Sequence, residues 1–203
     1  KNGKDAVKKQ TFQEPYLGLV HRLDQPVSGV LVFAKNKKAA ADLSNQISNG
    51  TMKKFYYALI YGTPIRERDT LEDYLYKDGR ENLSLIVNAT FPDAKKAILN
   101  YRHCSTLMVL EEGEEVSLME IELLTGRHHQ IRAQMSNAGM PLLGDSKYGS
   151  ERSKELSRDI GCKNVALCAY KLSFNHPVTH KEMVFEREPD EELFDPFLNE
   201  GIL

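Results

Sequence analysis

The apolar positions of this chain change period several times, and each change marks an element. Short apolar runs at residues 17–21 and 30–34 flank the segment Arg-Leu-Asp-Gln-Pro-Val-Ser-Gly, in which Pro26 and Gly29 break regular structure. This pattern predicts strand, tight loop, strand. Over residues 38–48, Ala41, Leu43 and Ile47 fall at near-helical spacing and Gly50 follows as a stop, which predicts a short helix. Residues 55–61 are dense in aromatics and end at Gly62 and Pro64, as a strand would. Residues 83–87 and 97–103 read as further strands. Residues 117–124 alternate, with Leu118, Glu120 and Glu122 on one side and Met119, Ile121 and Leu123 on the other, so a half-buried strand is expected.

After Gly126 the period lengthens. Ile131, Met135 and Ala138 fall at i, i+4 and i+7 before Gly139 and Pro141, which predicts a helix of about three turns with Thr125 as its N-terminal cap. Residues 144–161 are polar and read as loop with a short helix. Strands are expected at 165–174 and 183–185, with a turn at Asn175-His176-Pro177. Strands dominate and neighbours look hairpin-linked, so the fold class is α+β with a mostly antiparallel sheet and few helices. No repeat or low-complexity linker interrupts it, and a single domain over residues 1–203 is expected.

Composition adds one misleading number. The 203 residues carry 27 basic and 29 acidic side chains, a formal net charge of -2, which argues against a nucleic-acid binder. The average conceals segregation. Residues 21–56 are net +4 and residues 127–158 net +3, whereas 111–122 hold six glutamates and no base. The two basic lanes are expected to share one face around a cleft, with the acids turned away. Three cysteines without metal spacing suit a reducing cytosol, and no apolar run approaches the roughly 18 residues of a membrane span.

Four segments can carry chemistry. His21-Arg22-Leu23-Asp24 brings an imidazole, a cation and a carboxylate together at the mouth of a strand. Asp24 there can act as nucleophile or general base, or cap the turn. Thr125-Gly126-Arg127-His128-His129-Gln130-Ile131-Arg132 lies at a strand-to-helix junction, where backbone amides and Arg127 suit a phosphate or a carboxylate such as Asp24. His128 and His129 diverge on a helix and lack a third ligand, so no metal is expected. In Lys53-Lys54-Phe55-Tyr56-Tyr57 the two tyrosines face opposite ways on a strand, one for core and one for a cleft. Residues 141–149, with Asp145, either contact a ligand or pack under the helix.

Together these segments resemble the RluA family of RNA pseudouridine synthases. The family pattern H-R-L-D-x-x-[T/V]-S-G-h-h-h-F-A-K is met from His21 to Lys35, and T-G-R-x-H-Q-I-R from Thr125 to Arg132. K-x-Y-x-A is met by Lys54, Tyr56 and Ala58, and L-x-G-D-x-x-Y-G by the residues ending at Gly149. Val27 stands where many relatives have Thr, and Cys168 where they often show His.

The resemblance implies a mixed, mostly antiparallel sheet with a central active-site cleft, and isomerisation of specific uridines to pseudouridine in structured ribosomal or transfer RNA. It implies Asp24 as nucleophile, Tyr56 as the ring that stacks on uracil and moves the C5 proton, and Arg127 as the partner of Asp24, with Arg132 a near rival. Arg22 would fill the space left by the flipped nucleotide, and His21, Lys54, His129, Gln130 and Arg132 would contact substrate. Neither a metal nor an organic cofactor is implied, and the protein is expected to be a cytoplasmic monomer. The family's N-terminal edge strand and an S4-type RNA-binding module are expected to be missing. Two alternatives stand beside this reading: a catalytically silent RNA-binding module of the same fold, and a glycoside hydrolase pairing Asp24 with Asp145.

Overall fold

The strand at the centre of the protein, Lys53–Tyr61, is buried on both faces along Ala58, Leu59 and Ile60, and the other elements are arranged around it. The computed structural model describes residues 15–110 and 113–199. In chain order the strands are β1 (Gly18–Leu19), β2 (Ser28–Gly29), β3 (Phe33–Ala34), β4 (Lys53–Tyr61), β5 (Arg68–Asp78), β6 (Leu83–Val87), β7 (Lys95–Val109), β8 (Glu114–Leu123), β9 (Leu167–Asn175) and β10 (Glu182–Glu186). The helices are α1 (Lys37–Ser48), α2 (Gln130–Asn137), α3 (Glu151–Asp159) and α4 (Asp195–Asn199), the last preceded by a 3-10 turn at Glu192–Phe194.

Seven strands run in the order β10-β9-β4-β8-β7-β5-β6 with antiparallel neighbours, and β2 joins β9 in parallel. β1 and β3 form a separate antiparallel pair. The class is α+β, as the residue pattern predicts.

Alternation along β4 divides the core. Tyr56, Ala58 and Ile60 pack with Ile121 of β8 and with Ile131 and Met135 of α2. Leu59 points the other way, to Leu156 of α3 and to Phe194 and Phe197 near the C-terminus. A third cluster joins Leu43 of α1 to Ala34, Leu172 and Phe174, and seats the β1–β3 pair at one end of the sheet. Each cluster removes several large side chains from water, at about 1.5–3 kcal/mol apiece.

Three expectations need correction. β5 spans 11 residues that the sequence reading leaves unassigned, because only Leu75 within it is fully buried and charged residues hide the alternation. α2 has 8 residues, about two turns rather than three. Its cap is not Thr125. His129 takes that position in the left-handed region (φ 48°), while the Thr125 hydroxyl accepts from Ile98 N at 2.9 Å and donates to Gln130 Oε1 at 2.8 Å. The chain reverses so sharply after β8 that Thr125 is used to close the turn. Residues 1–14, on which the expectation of a missing N-terminal edge bears, lie outside the described residues, as do Glu111 and Glu112 of the acidic run.

Candidate active site

Asp24 sits on the loop between β1 and β2, held at both ends. Val27 N donates to Asp24 O at 2.7 Å, and Val30 N donates to Ala169 O at 2.8 Å, extending the short β2–β9 ladder. Gly29 makes that ladder possible. Its φ is +128°, and a Cβ there would collide with the Ala169 carbonyl. The loop lines one wall of a cleft of about 250 Å³, contributing His21, Arg22 and Asp24. Lys54 and Tyr56 of β4 form its floor, and Arg127 and His128 its far wall.

Among the described residues nothing hydrogen-bonds or ion-pairs with the Asp24 carboxylate. Burial pushes its pKa above the ordinary carboxylate value. Arg132 and Arg22 pull it back in part, and Asp145 pushes it up again. Desolvation therefore outweighs the cations, of which Arg132, the stronger, is already engaged by Asp145. The Tyr56 phenol is pushed well up, first by burial and then by the Asp24 charge, so it stays protonated at neutral pH. His21 is lowered to about 4 by burial and by Lys54, and is a neutral imidazole. Lys54 is itself lowered by burial and by Arg127.

The two candidate arginines have different neighbours. Arg127 is exposed and lines the cleft, with its Nε donating to Lys96 O at 2.9 Å. Arg132 stands behind the wall. It grips Asp145 through two hydrogen bonds of 2.7 Å, with side chains only 7% and 1% exposed, and it lies over the Tyr148 ring. Burial alone would raise Asp145, but the Arg132 hydrogen bonds and charge hold it below the ordinary range.

Behind the Arg127–His128 wall is a hydrogen-bonded frame. Gln130 Oε1 accepts from Thr125 Oγ1 and from Arg127 N, while its Nε2 donates to Ile98 O. His128 stacks on His129 at 3.8 Å. Ser84 Oγ lies 3.0 Å from His128 Nδ1, and Tyr148 Oη lies 3.0 Å from His129 Nδ1 and accepts from Ser84 N. Tyr148, from the segment 141–149 expected to contact a ligand or pack under the helix, and Ser84, which the sequence reading assigns only to a strand, thus fix the wall. The signal for Ser84 is tertiary only, since it lies far from both histidines in sequence.

The structure brings Asp24, Tyr56, Arg127, His21, Arg22, Lys54 and Gln130 around one cleft. It does not put His129 and Arg132 on the cleft surface. Both are buried behind the wall, with His129 Nδ1 beside Tyr148 Oη and Arg132 Nε and one Nη on Asp145, whereas the sequence reading expects both to contact substrate. Gln130 lines the cleft but is likewise buried and occupied by protein partners. Asp145, the second acid a hydrolase would need, is held by Arg132 and does not line the cleft. The basic lanes meet here only in part. Arg22, Lys54 and Arg127 converge, whereas Arg152 pairs with Glu114 elsewhere. Glu120 and Glu122 point to the opposite sheet face, toward Arg102 and Lys53.

Known proteins resemble this chain in sequence and fold. The family model described as RNA pseudouridylate synthase matches residues 1–137, which include Asp24, Tyr56 and Arg127. The chain belongs to the RluA family of RNA pseudouridine synthases. It is 35% identical over 176 residues to the uncharacterized RNA pseudouridine synthase YlyB of Bacillus subtilis, covering 87% of this chain and 53% of that protein. It is 31% identical to ribosomal large subunit pseudouridine synthase C of Vibrio cholerae, covering 88% and 54%. The fold matches human RNA pseudouridylate synthase domain containing 1 with a TM-score of 0.71 at 25% identity, covering 86% of this chain and 69% of that one. The chain spans about half the length of the curated pseudouridine synthases it matches. The pseudouridylate synthase match ends before Asp145 and Tyr148, the residues that buttress the cleft wall from behind.

Proposed function

We propose that this chain isomerises uridine to pseudouridine in structured RNA, with Asp24 as the nucleophile. The observation that carries the reading is a carboxylate with no partner among the described residues, facing a cleft with a buried phenol on its floor and cations at its rim. A uridine stacked in RNA does not present itself to a carboxylate and must first be flipped out, at a few kcal/mol. Arg22, exposed two residues before Asp24, is placed to fill the gap, and Lys54 and Arg127 attract the phosphates.

Asp24 attacks the flipped nucleoside and the C–N glycosidic bond breaks. The uracil, held against the Tyr56 ring, rotates. A C–C bond then forms at C5 as the C5 proton leaves and Asp24 is released as carboxylate. Because the phenol is kept protonated, Tyr56 acts as a relay, receiving the C5 proton while passing its own to solvent, and N1 of the uracil, left bare when the C–N bond broke, takes up one proton in exchange. No atom is gained or lost, and the scheme requires neither metal nor organic cofactor. We assign the described residues to one catalytic unit, acting as a cytoplasmic monomer.

One relative's name specifies the large ribosomal subunit, so large-subunit ribosomal RNA is the first substrate to test. Unmodified transcript is incubated with wild type or Asp24→Ala and assayed for pseudouridine by mass spectrometry. Product from wild type alone is expected. Product from the alanine variant at an undiminished rate overturns the mechanism. RNA binding without product from wild type overturns the activity in favour of a silent binding module.

A further inference from the structure

The ridge Gly126-Arg127-His128 that walls the Asp24 cleft also forms one wall of a second cleft, of about 430 Å³. The opposite wall is the sheet. Register pairs Lys95 of β7 with Leu75 of β5, and Lys77 of β5 with Ser84 of β6. Leu75 and Lys77 are two residues apart, so all four side chains project from one face. Leu75 packs there against Ala133 of α2, and Ser84 meets His128, which identifies this as the Asp24 side of the sheet. Lys96, one residue on, points to the other face and pairs with Glu72 at 2.6 Å.

Lys77, Lys95 and Arg127 are exposed, and among the described residues none of them has an acidic partner. Asp93 is the one carboxylate on the lining, so the cleft keeps a net positive charge. At the crest of the ridge, Gly126 presents no side chain. A Cβ there would have only the Lys54 ammonium within 4 Å, at 3.3 Å. A polyanion leaving the Asp24 cleft thus meets a low pass, with Lys54 on one side and Lys77 and Lys95 on the other.

We infer that this second cleft seats the RNA backbone next to the flipped nucleotide, with Lys77, Lys95 and Arg127 holding its phosphates. The inference rests on reading the chain as an enzyme of RNA. Phosphate contacts of this kind set register without reading bases, so the cleft fixes which nucleotide of the strand lies over Asp24.

The test is the salt dependence of binding to a fluorescein-labelled RNA stem–loop with uridines in its loop, read by fluorescence anisotropy. For K77Q/K95Q the plot of log affinity against log salt should be shallower than wild type by about 1.4–1.8, the contribution of two phosphates, with binding at low salt roughly tenfold weaker. The charge-matched variant R158Q/K163Q, in a separate cleft beside α3, should keep the wild-type slope. Equal slopes for wild type and K77Q/K95Q, equal losses in both double variants, or no RNA binding by wild type each overturn the inference. Pseudouridine is measured in the same samples. The expected slopes without product overturn the isomerase reading and leave the phosphate seat standing, whereas normal turnover with unchanged slopes does the reverse.

Discussion

Arg132 commits Nε and one Nη of its guanidinium to Asp145, at 2.7 Å each, and acts on Asp24 through its field, with no hydrogen bond to it among the described residues. A carboxylate locked in a bidentate ion pair is a poor nucleophile, because its lone pairs are committed. Here the pairing is diverted to a buried acid, and the acid in the cleft is oriented by its loop instead.

Removing one partner of that pair should therefore hurt the fold first. Asp145→Asn leaves a buried guanidinium without its counter-charge and should destabilise the protein by about 3–5 kcal/mol in guanidinium unfolding. The same change removes a repulsion on Asp24, so the acid limb of the activity profile should move to lower pH.

Asp24 itself should carry a stability penalty. Its pKa in the folded state is raised, so stability present below the ordinary carboxylate range is lost as pH rises through the raised value. Asp24→Asn should melt higher than wild type at neutral pH, with the difference closing as pH falls below the unfolded carboxylate value. Activity should disappear on the acid side at a pH above that of an ordinary aspartate. Equal melting of the two proteins at every pH would contradict the burial account.

Tyr56→Phe keeps the ring that fills the cleft floor and removes only the hydroxyl. Turnover should fall by roughly 10²–10⁴, the usual share of a positioned proton-transfer group. RNA affinity and melting temperature should stay near wild type. A loss of binding that matches the loss of turnover would mean that the ring, and not the proton, is what matters.

Gly29→Ala should show how much the loop depends on the β2–β9 ladder. The methyl group meets the Ala169 carbonyl and the positive φ adds strain, so stability should drop by about 1–3 kcal/mol and turnover by more than that drop explains. Circular dichroism melts and rate measurements at a temperature where the variant is folded separate the two effects.

Much of this site can be read along the chain because its parts are local. β8 announces itself by alternation, β4 by its aromatics before Gly62 and Pro64, and the loop bearing Asp24 by Pro26 and Gly29. β5 stays hidden because its residues are half-exposed and charged on a sheet whose faces are both partly solvated. The roles of Arg127 and Arg132 are separated only by tertiary structure. Both are arginines on one short segment, and nothing in their spacing tells that the chain turns left-handed at His129 and points one outward and the other at Asp145. The raised pKa of Asp24 is likewise a property of the walls around it.

The loop that carries Asp24 is fastened to the main sheet by a parallel ladder only two residues long, while Tyr56 belongs to a strand with neighbours on both sides. The two halves of the chemistry consequently sit at different levels of the protein's opening hierarchy. Amide protons of β1 to β3 should exchange with deuterium well before those of β4. A bound strand that touches both Arg22 and Lys54 would then slow that early exchange, so substrate completes the rigidity that the fold alone leaves unfinished.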